Sequence, residues 1–411
     1  METGSSSNAL TCDVLVVGAG HAGLAAAIGL ADAGFDTILC GAPERIDSGR
    51  TVALLDASVQ LFKALAIWPQ IEPFASPLSG LRLIDDTGSI WSAAPVEFRA
   101  GEIGLEAFGW NIENGDLVGA LADAARRRPN LRVIETRVAS SAFGADRATA
   151  RTDSGLDIAA NLVVGADGRA SPLRKAAGIG VNVTRYPQTA LTAILNHSRP
   201  HRDFSTEFHL PEGPFTLVPL PAKPGARFRS SLVWMMAERQ ARRRAGLDDK
   251  FLAHEIEKQA RSMLGEIALE GGRGAFPVNL QIVRSMTAPR LALVGDAAHA
   301  LPPIGAQGLN LGLRDGAHLI EAVQDARHEG RDIGGEETLA NYARLRRLDV
   351  AVRAGAVDGL NRSLLAASPA VNLVRGIGLT ALNTIGPLRR IVMREGVAPR
   401  FSTPRIMRGG G

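Results

Sequence analysis

The chain has 411 residues, 45% hydrophobic and 21% charged, which supplies material for two or three packed units and excludes a disordered chain. Two cysteines, Cys12 and Cys40, exclude a disulfide framework and a cysteine-rich metal site, and suit a reducing cytoplasm. A formal charge of +4 with 5% aromatic residues argues against a nucleic-acid face, and Arg126-Arg127-Arg128 and Arg242-Arg243-Arg244 read as solvated helix ends.

Met1 to Thr11 is polar and Ser-rich with no apolar signal core, and no run of about 18 uncharged apolar residues offers a membrane span. Cys12 to Val17 is a compact apolar run typical of a buried parallel strand. It enters Gly18-Ala19-Gly20-His21-Ala22-Gly23 and then a helical stretch, Leu24 to Asp32, which Gly34 stops; Phe35 to Cys40 restores a strand. Strand, Gly-rich turn, helix and strand form the setting in which GxGxxG carries meaning. A helix is expected over Ser58 to Ala66. A hairpin is expected from Leu81-Arg82-Leu83-Ile84, through Asp85 to Gly88, to Ser89-Ile90-Trp91. Asp116 to Arg128 reads as a helix ended by Pro129, and Leu131 to Ala160 as short alternating strands. Residues 183 to 280 change to Pro-punctuated strands with one helix, about Lys250 to Leu264. Leu291 to Val294 is another buried strand, followed by helices from Leu309 and over Thr338 to Leu360. Val371 to Leu382 is apolar and Arg389, Arg390 and Arg394 follow it, either a helix packed on the body or an amphipathic edge for a membrane surface or lipophilic partner.

In the first turn Gly18 permits the bend, Gly20 lets a pyrophosphate approach the backbone, and Gly23 lets helix and strand pack closely. The phosphates would sit on the helix N-terminus, where free N–H groups and the dipole favour negative charge. His21 and Ala22 lie in the same turn, His21 mattering there more for its backbone than for its ring. The acidic residue that usually binds a ribose at the end of the second strand is missing: Cys40 and Gly41 occupy the place, and Glu44 is the nearest carboxylate. A second signature, Gly165-Ala166-Asp167-Gly168-Arg169, follows an apolar strand. A third runs from Gly295-Asp296-Ala297-Ala298-His299 through Pro302-Pro303-Ile304-Gly305-Ala306-Gln307-Gly308-Leu309-Asn310. Here an acid follows a buried strand, two prolines stiffen a turn, and a new helix offers N–H groups to an anion or an electron-rich ring edge. His299 has no second ligand at metal spacing, and no metal site is expected.

These three motifs, in this order and at these distances, resemble the single-component aromatic flavin monooxygenases, the p-hydroxybenzoate hydroxylase-like enzymes. Arg50-Thr51-Val52-Ala53-Leu54, Glu113-Asn114, Gly213 to Leu220 and Gln307 to Asp315 are most similar to the ubiquinone-biosynthesis hydroxylases. The resemblance spans residues 12 to 380. It implies an α/β (α+β) fold with a Rossmann-like FAD-binding domain from 1–72, 97–182 and 281–360. A mixed β-sheet substrate domain from 73–96 and 183–280, and a C-terminal helical segment, 361–411, would complete it. It implies non-covalent FAD, with NAD(P)H as co-substrate, held by Gly18, Gly20, His21, Ala22, Gly23, Arg50, Asn114, Asp167, Gly168, Gly295 and Asp296. Pro302, Gly305, Gln307, Gly308, Leu309 and Asn310 would border the flavin ring. Phe215, Leu217, Val218 and Trp234 would line the site of a lipophilic prenylated phenol, hydroxylated with O₂.

The chemistry then belongs to the cofactor, which accounts for the lack of a triad, paired carboxylates or a metal cluster; no catalytic acid or base is assigned. His209 and Tyr186 are the polar candidates for helping a phenol ionise. Three other readings stand beside this one: a hydroxylase of a soluble phenol, an FAD-dependent prenyl-lipid reductase sharing the same motifs, and a non-enzymatic flavin-bound scaffold of a biosynthetic assembly. A halogenase is set aside because no Trp-x-Trp-x-Ile motif occurs. The expected location is the cytoplasm, peripherally at the inner face of the cytoplasmic membrane.

Overall fold

The structure is a computed structural model that describes residues 9–43, 49–88, 94–366, 378, 384–397 and 403–409. The first apolar run is β1 (Leu10–Val17), and Val14, Leu15 and Val16 are sealed from solvent. Its neighbours β2 (Thr37–Cys40) and β11 (Asp157–Gly165) both run parallel to it, so the strands are covered on both faces and read as continuous rather than alternating apolar runs. β8 (Leu131–Ile134) extends this sheet on one side; β18 (Leu291–Leu293) and β17 (Thr287–Ala288) extend it on the other. β9 (Val138–Phe143) and β10 (Ala148–Thr152) add an antiparallel flap to β11.

α1 (His21–Asp32) begins within the Gly-rich turn, three residues before the expected start, because Gly20 already has the extended backbone of an N-cap. It packs against α4 (Asn114–Arg126) and α8 (Gln307–His328). Gly316 of α8 faces Ala26 of α1, and Gly312 faces Gly295, so small residues let these backbones meet. α9 (Glu336–Leu365) packs on α8. α2 (Asp56–Ala64), α3 (Trp68–Ile71) and α5 (Pro172–Ala176) are short connectors.

The second sheet runs in the order β19 (His299–Ala300), β16 (Ile267–Val283), β12 (Val181–His197), β15 (Arg229–Ala237), β14 (Gly213–Leu220), β13 (Phe204–Leu210), β5 (Gly80–Asp85), β6 (Val96–Arg99). A small sheet of β3 (Thr51–Leu55), β7 (Gly109–Glu113) and β4 (Ala75–Pro77) lies beside it, joined by Asn111 Nδ2 donating to Pro219 O at 2.9 Å and Thr51 Oγ1 donating to Ser231 Oγ at 2.8 Å. Among the described residues the antiparallel partner of β5 is β6 and its parallel partner is β13; Ser89-Ile90-Trp91, and likewise Val371 to Leu382 apart from residue 378, lie outside them. The divisions drawn from sequence at 96/97, 182/183 and 280/281 fall inside the continuous strands β6, β12 and β16, which carry the chain from one layer to the next.

Strand alternation gives the second sheet two buried faces. On one, Leu191, Phe208, Phe215, Leu217, Leu232 and Trp234 pack under α6 (Glu238–Ala245) and α7 (Asp249–Gln259). α6 precedes the one helix drawn for this region from sequence, and Arg242, Arg243 and Arg244 form its last turn, the helix end their run suggested. On the other face, Ala190, Met235, Val278 and Leu280 meet Leu301, Ile304, Leu311 and the inner side of α9. α10 (Gly386–Val397) lies over β6 through Met393 and Val397. Among the described residues no helix is long and apolar enough to cross a membrane.

Candidate functional site

The three sequence motifs converge where β1, β11 and β18 end. A Cβ on Gly18 would lie 2.2 Å from Ala166 O, and one on Gly23 would lie 1.9 Å from Gly18 O, so these glycines let the first and second motifs and α1 touch. Gly295, at φ +60°, brings the third motif against Ala22. Gly20 differs from all of these: a Cβ there meets nothing within 4 Å, and its N–H-rich helix start carries neither a side-chain cap nor an acidic residue in its first turn. That open, uncapped N-terminus fits a pyrophosphate.

Gly41 explains the missing acid. At φ +145°, its Cβ would come 2.8 Å from Ala19 N, so no side chain of any kind fits at the usual ribose-binding position. Glu44 lies outside the described residues.

His21 contributes more than its backbone. Its ring Nε2 lies 3.4 Å from Asn114 O, tying the start of α1 to the start of α4, and burial pushes its imidazole down to about 4. Arg50 bridges two layers: its carbonyl accepts from Asn114 N at 3.1 Å, while its guanidinium lies 4.5 Å from the centre of the Phe276 ring on β16. Asp167 accepts from Leu173 N through Oδ2 at 3.0 Å, leaving Oδ1 buried without a protein partner. Gly168 takes φ +80° beside it with open space around. Half-exposed Asp296 has Arg169 Nε 3.6 Å away. Sequence reasoning missed Arg174, a buried residue that donates to Ala297 O at 2.7 Å and Arg169 O at 2.8 Å and so clamps the second motif to the third.

The loop before α8 ends on Ala306, which takes φ +55° as an N-cap without a side-chain cap, and the first turn of α8 has no acidic residue. Pro302 is buried, Gly305 is exposed, and Gly308 and Leu309 are half-buried. Two residues expected to border a ring do other work. Asn310 is buried and fully bonded: Oδ1 accepts from Leu55 N at 2.8 Å and Ser58 Oγ at 2.7 Å, and Nδ2 donates to Ala53 O and Ala306 O. It fastens α8 to β3 and α2. Gln307 donates to Gly305 O at 2.9 Å and accepts from Arg353 at 3.1 Å.

Beneath this loop lies an ion cluster the sequence did not reveal. Asp315 accepts from Gly295 N at 2.9 Å, is 2.6 Å from His299 Nε2, and pairs with Arg346 Nε at 2.7 Å. Arg346 and Arg314 then share Asp349. Burial alone would raise Asp315, but His299 and Arg346 hold its carboxyl below the usual range. His299 is thereby placed as a support for the loop, and among the described residues no group of three or more His, Cys, Asp or Glu could hold a metal ion.

On the substrate sheet, Phe215, Leu217 and Trp234 point toward α6 and α7, away from the loop at Leu301 to Gly305. Phe215 and Trp234 lie directly opposite each other, their rings edge to face at 5.0 Å. Val218 alternates to the other face, together with Val233 and Met235. Tyr186 donates its hydroxyl to Asp358 of α9, and burial and that carboxylate push its phenol up. His209 is buried with Nε2 2.9 Å from Glu207 Oε1.

A βαβ turn, two further motifs at its rim and a second sheet laid over them define a flavin-dependent aromatic-ring monooxygenase. The chain belongs to the FAD binding domain family, which it matches over residues 11–354. It binds FAD and takes NAD(P)H as co-substrate. It is 32% identical to a ubiquinone hydroxylase, UbiL, of Rhodospirillum rubrum, across 99% of this chain and 94% of that one. It is 31% identical to the 3-demethoxyubiquinol 3-hydroxylase of Escherichia coli, across 93% and 97% respectively. In fold it is similar to p-nitrophenol 4-monooxygenase of Pseudomonas putida, with a TM-score of 0.76 at 18% identity, covering 95% of this chain and 99% of that one.

Proposed function

We propose that this protein hydroxylates the aromatic ring of a prenylated phenol on the way to ubiquinone, using NAD(P)H and O₂. The observation that carries this is the inner face of the second sheet. Ala190, Val233, Met235, Val278 and Leu280 turn an apolar surface toward Leu301 and Ile304, the approach to α8. A greasy wall beside a flavin loop suits a substrate whose prenyl tail gains about 0.8 kcal/mol per buried CH₂. The substrate classes named for the relatives above agree with it.

In this reading the FAD domain comprises 1–72, 97–182 and 281–360, and the substrate domain 73–96 and 183–280, with strand continuity across their borders. Gly18, Gly20, His21, Ala22 and Gly23 hold the pyrophosphate, aided by Arg50 and Asn114. Asp167, Gly168, Gly295 and Asp296 contact the cofactor's remaining polar chain. FAD supplies the redox chemistry that reduces O₂ and delivers a hydroxyl group to the ring. The uncapped start of α8, from Ala306 to Leu309, would offer amides and a positive dipole end to negative charge on a flavin bound there. Arg174 and Asp315 keep the loop bearing Asp296 in place, and the sheet face excludes water and orients the phenol. Neither Tyr186 nor His209 is assigned a proton, since each is committed to a carboxylate. The protein works in the cytoplasm, peripherally at the inner membrane face where such a lipid resides.

The test is profiling of quinone intermediates in cells lacking the protein. A precursor missing one ring hydroxyl should accumulate and vanish on complementation. Normal ubiquinone with no phenolic precursor overturns the reading and leaves a soluble phenol as substrate.

A further inference from the structure

α9 carries two apolar faces where a packed helix needs one. Val350, Ala354 and Val357 point inward and are buried. On the opposite side, Leu348, Val352, Gly355 and Gly359 recur at intervals of four, three and four, which is a single outward stripe about 16 Å long. Leu348 is 72% exposed and Val352 60%. α10 repeats the pattern. Met393 and Val397 are buried against Phe98 and Phe108, while Leu388, Ile391 and Val392 face outward, Ile391 at 60% exposure. The two helices adjoin, because Arg353 of α9 donates to Glu395 O of α10 at 2.8 Å.

The exposed charges bordering these stripes are arginines, with half-buried Glu395 one turn beyond Ile391 and Val392 on α10. Arg344, Arg347, Arg390 and Arg394 are exposed along their borders. On this part of α9 the acids are occupied, Asp349 by Arg314 and Arg346, and Asp358 by Tyr186 and Arg362. Arg389, by contrast, is turned inward onto Glu102 and the Phe98 ring. A second copy of the chain would bring the same cationic border against this one. An interface of apolar acyl chains beneath anionic headgroups meets both features at once.

We propose that the outer faces of α9 and α10 dock this protein on the surface of an anionic phospholipid bilayer. The docked side is the one that covers the inner face of the substrate sheet. This deepens the peripheral placement proposed above, and vesicle binding tests it apart from the chemistry.

The experiment is co-flotation of the full-length holoprotein with vesicles of phosphatidylcholine, alone or mixed with phosphatidylglycerol. Binding to the mixed vesicles should exceed binding to phosphatidylcholine by at least about tenfold and fall with salt. Leu348→Glu with Val352→Glu, and separately Arg390→Gln with Arg394→Gln, should each lower partition at least about fivefold, with flavin content and melting temperature unchanged. The proposal fails if the wild type does not float, or if both double variants float as it does. It also fails if light scattering finds a dimer that Leu348→Glu with Val352→Glu dissociates, which would make the stripe a contact between copies. A fall in melting temperature and flavin content in both double variants would place the stripes inside the fold and overturn it as well. Loss of turnover on prenylated phenols in an enzyme that still floats would fail the substrate reading alone.

Discussion

Gly20 and Gly23 stand in one motif yet should fail in opposite ways when a methyl is added. Gly20 has φ −78° and ψ 179°, which any residue adopts, and its added Cβ touches nothing within 4 Å. Gly20→Ala should therefore fold as stably as the wild type, within about 0.5 kcal/mol. On the proposed assignment, the space the methyl fills is the space a pyrophosphate needs. Losing one amide-to-anion hydrogen bond costs about 1.5–3 kcal/mol, or roughly 10- to 150-fold in Kd. Gly23→Ala puts its Cβ 1.9 Å from Gly18 O, a backbone atom that cannot swing aside. Relief requires α1 to move off β1, an overpacking cost of about 1–3 kcal/mol or more. The assay is thermal melting of each apoprotein followed by titration with FAD, read by flavin fluorescence. Wild-type FAD affinity in Gly20→Ala would refute the placement of the pyrophosphate, and an undisturbed apoprotein in Gly23→Ala would refute the packing argument.

Replacing Arg346 with Met removes one buried cationic partner from both Asp315 and Asp349, and chemical denaturation should register a loss of about 3–5 kcal/mol. Both carboxylates titrate lower folded than unfolded, so their stabilisation is present above about pH 4 and fades as pH falls below it; melting curves at stepped pH should show Arg346→Met losing less than the wild type over that range. Trp234→Ala should destabilise the protein by about 3–5 kcal/mol without changing KM for the phenol, whereas Met235→Ala on the inner face should raise KM. Tyr186→Phe should leave the pH dependence of hydroxylation unchanged, because that hydroxyl is already given to Asp358; a shifted profile would return Tyr186 to the chemistry.

What the sequence made legible is what local spacing decides. The run Cys12 to Val17, the turn at Gly18 to Gly23 and the strand at Leu291 to Val294 each declare themselves within a few residues, because buried parallel strands and phosphate-binding turns leave narrow choices. Gly41 and Asn310 did not declare their roles. Gly41 is glycine because Ala19 N lies 2.8 Å from where its Cβ would be, and Asn310 is asparagine because four groups from three segments bond it. Arg174 and Arg346 had no signature at all, one arginine among many, and acquire meaning only from Ala297 O and from Asp315. Tertiary neighbours settle such residues.

The substrate side shows the same limit more sharply. Ser231-Leu232-Val233-Trp234-Met235 is apolar on both alternations, so its period announces a strand buried on two faces but not which face meets the flavin loop. Phe215, Leu217 and Trp234, expected from the apolar run to line the substrate site, instead pack beneath α6 and α7, with the rings of Phe215 and Trp234 edge to face. The inner face, proposed above as the wall along which the phenol and its tail lie, packs toward Leu301 and Ile304 and carries Ala190, Val233 and Met235. In this sheet the distinction falls between adjacent residues, Trp234 and Met235, and only the register with β12 and β14 assigns each to its side.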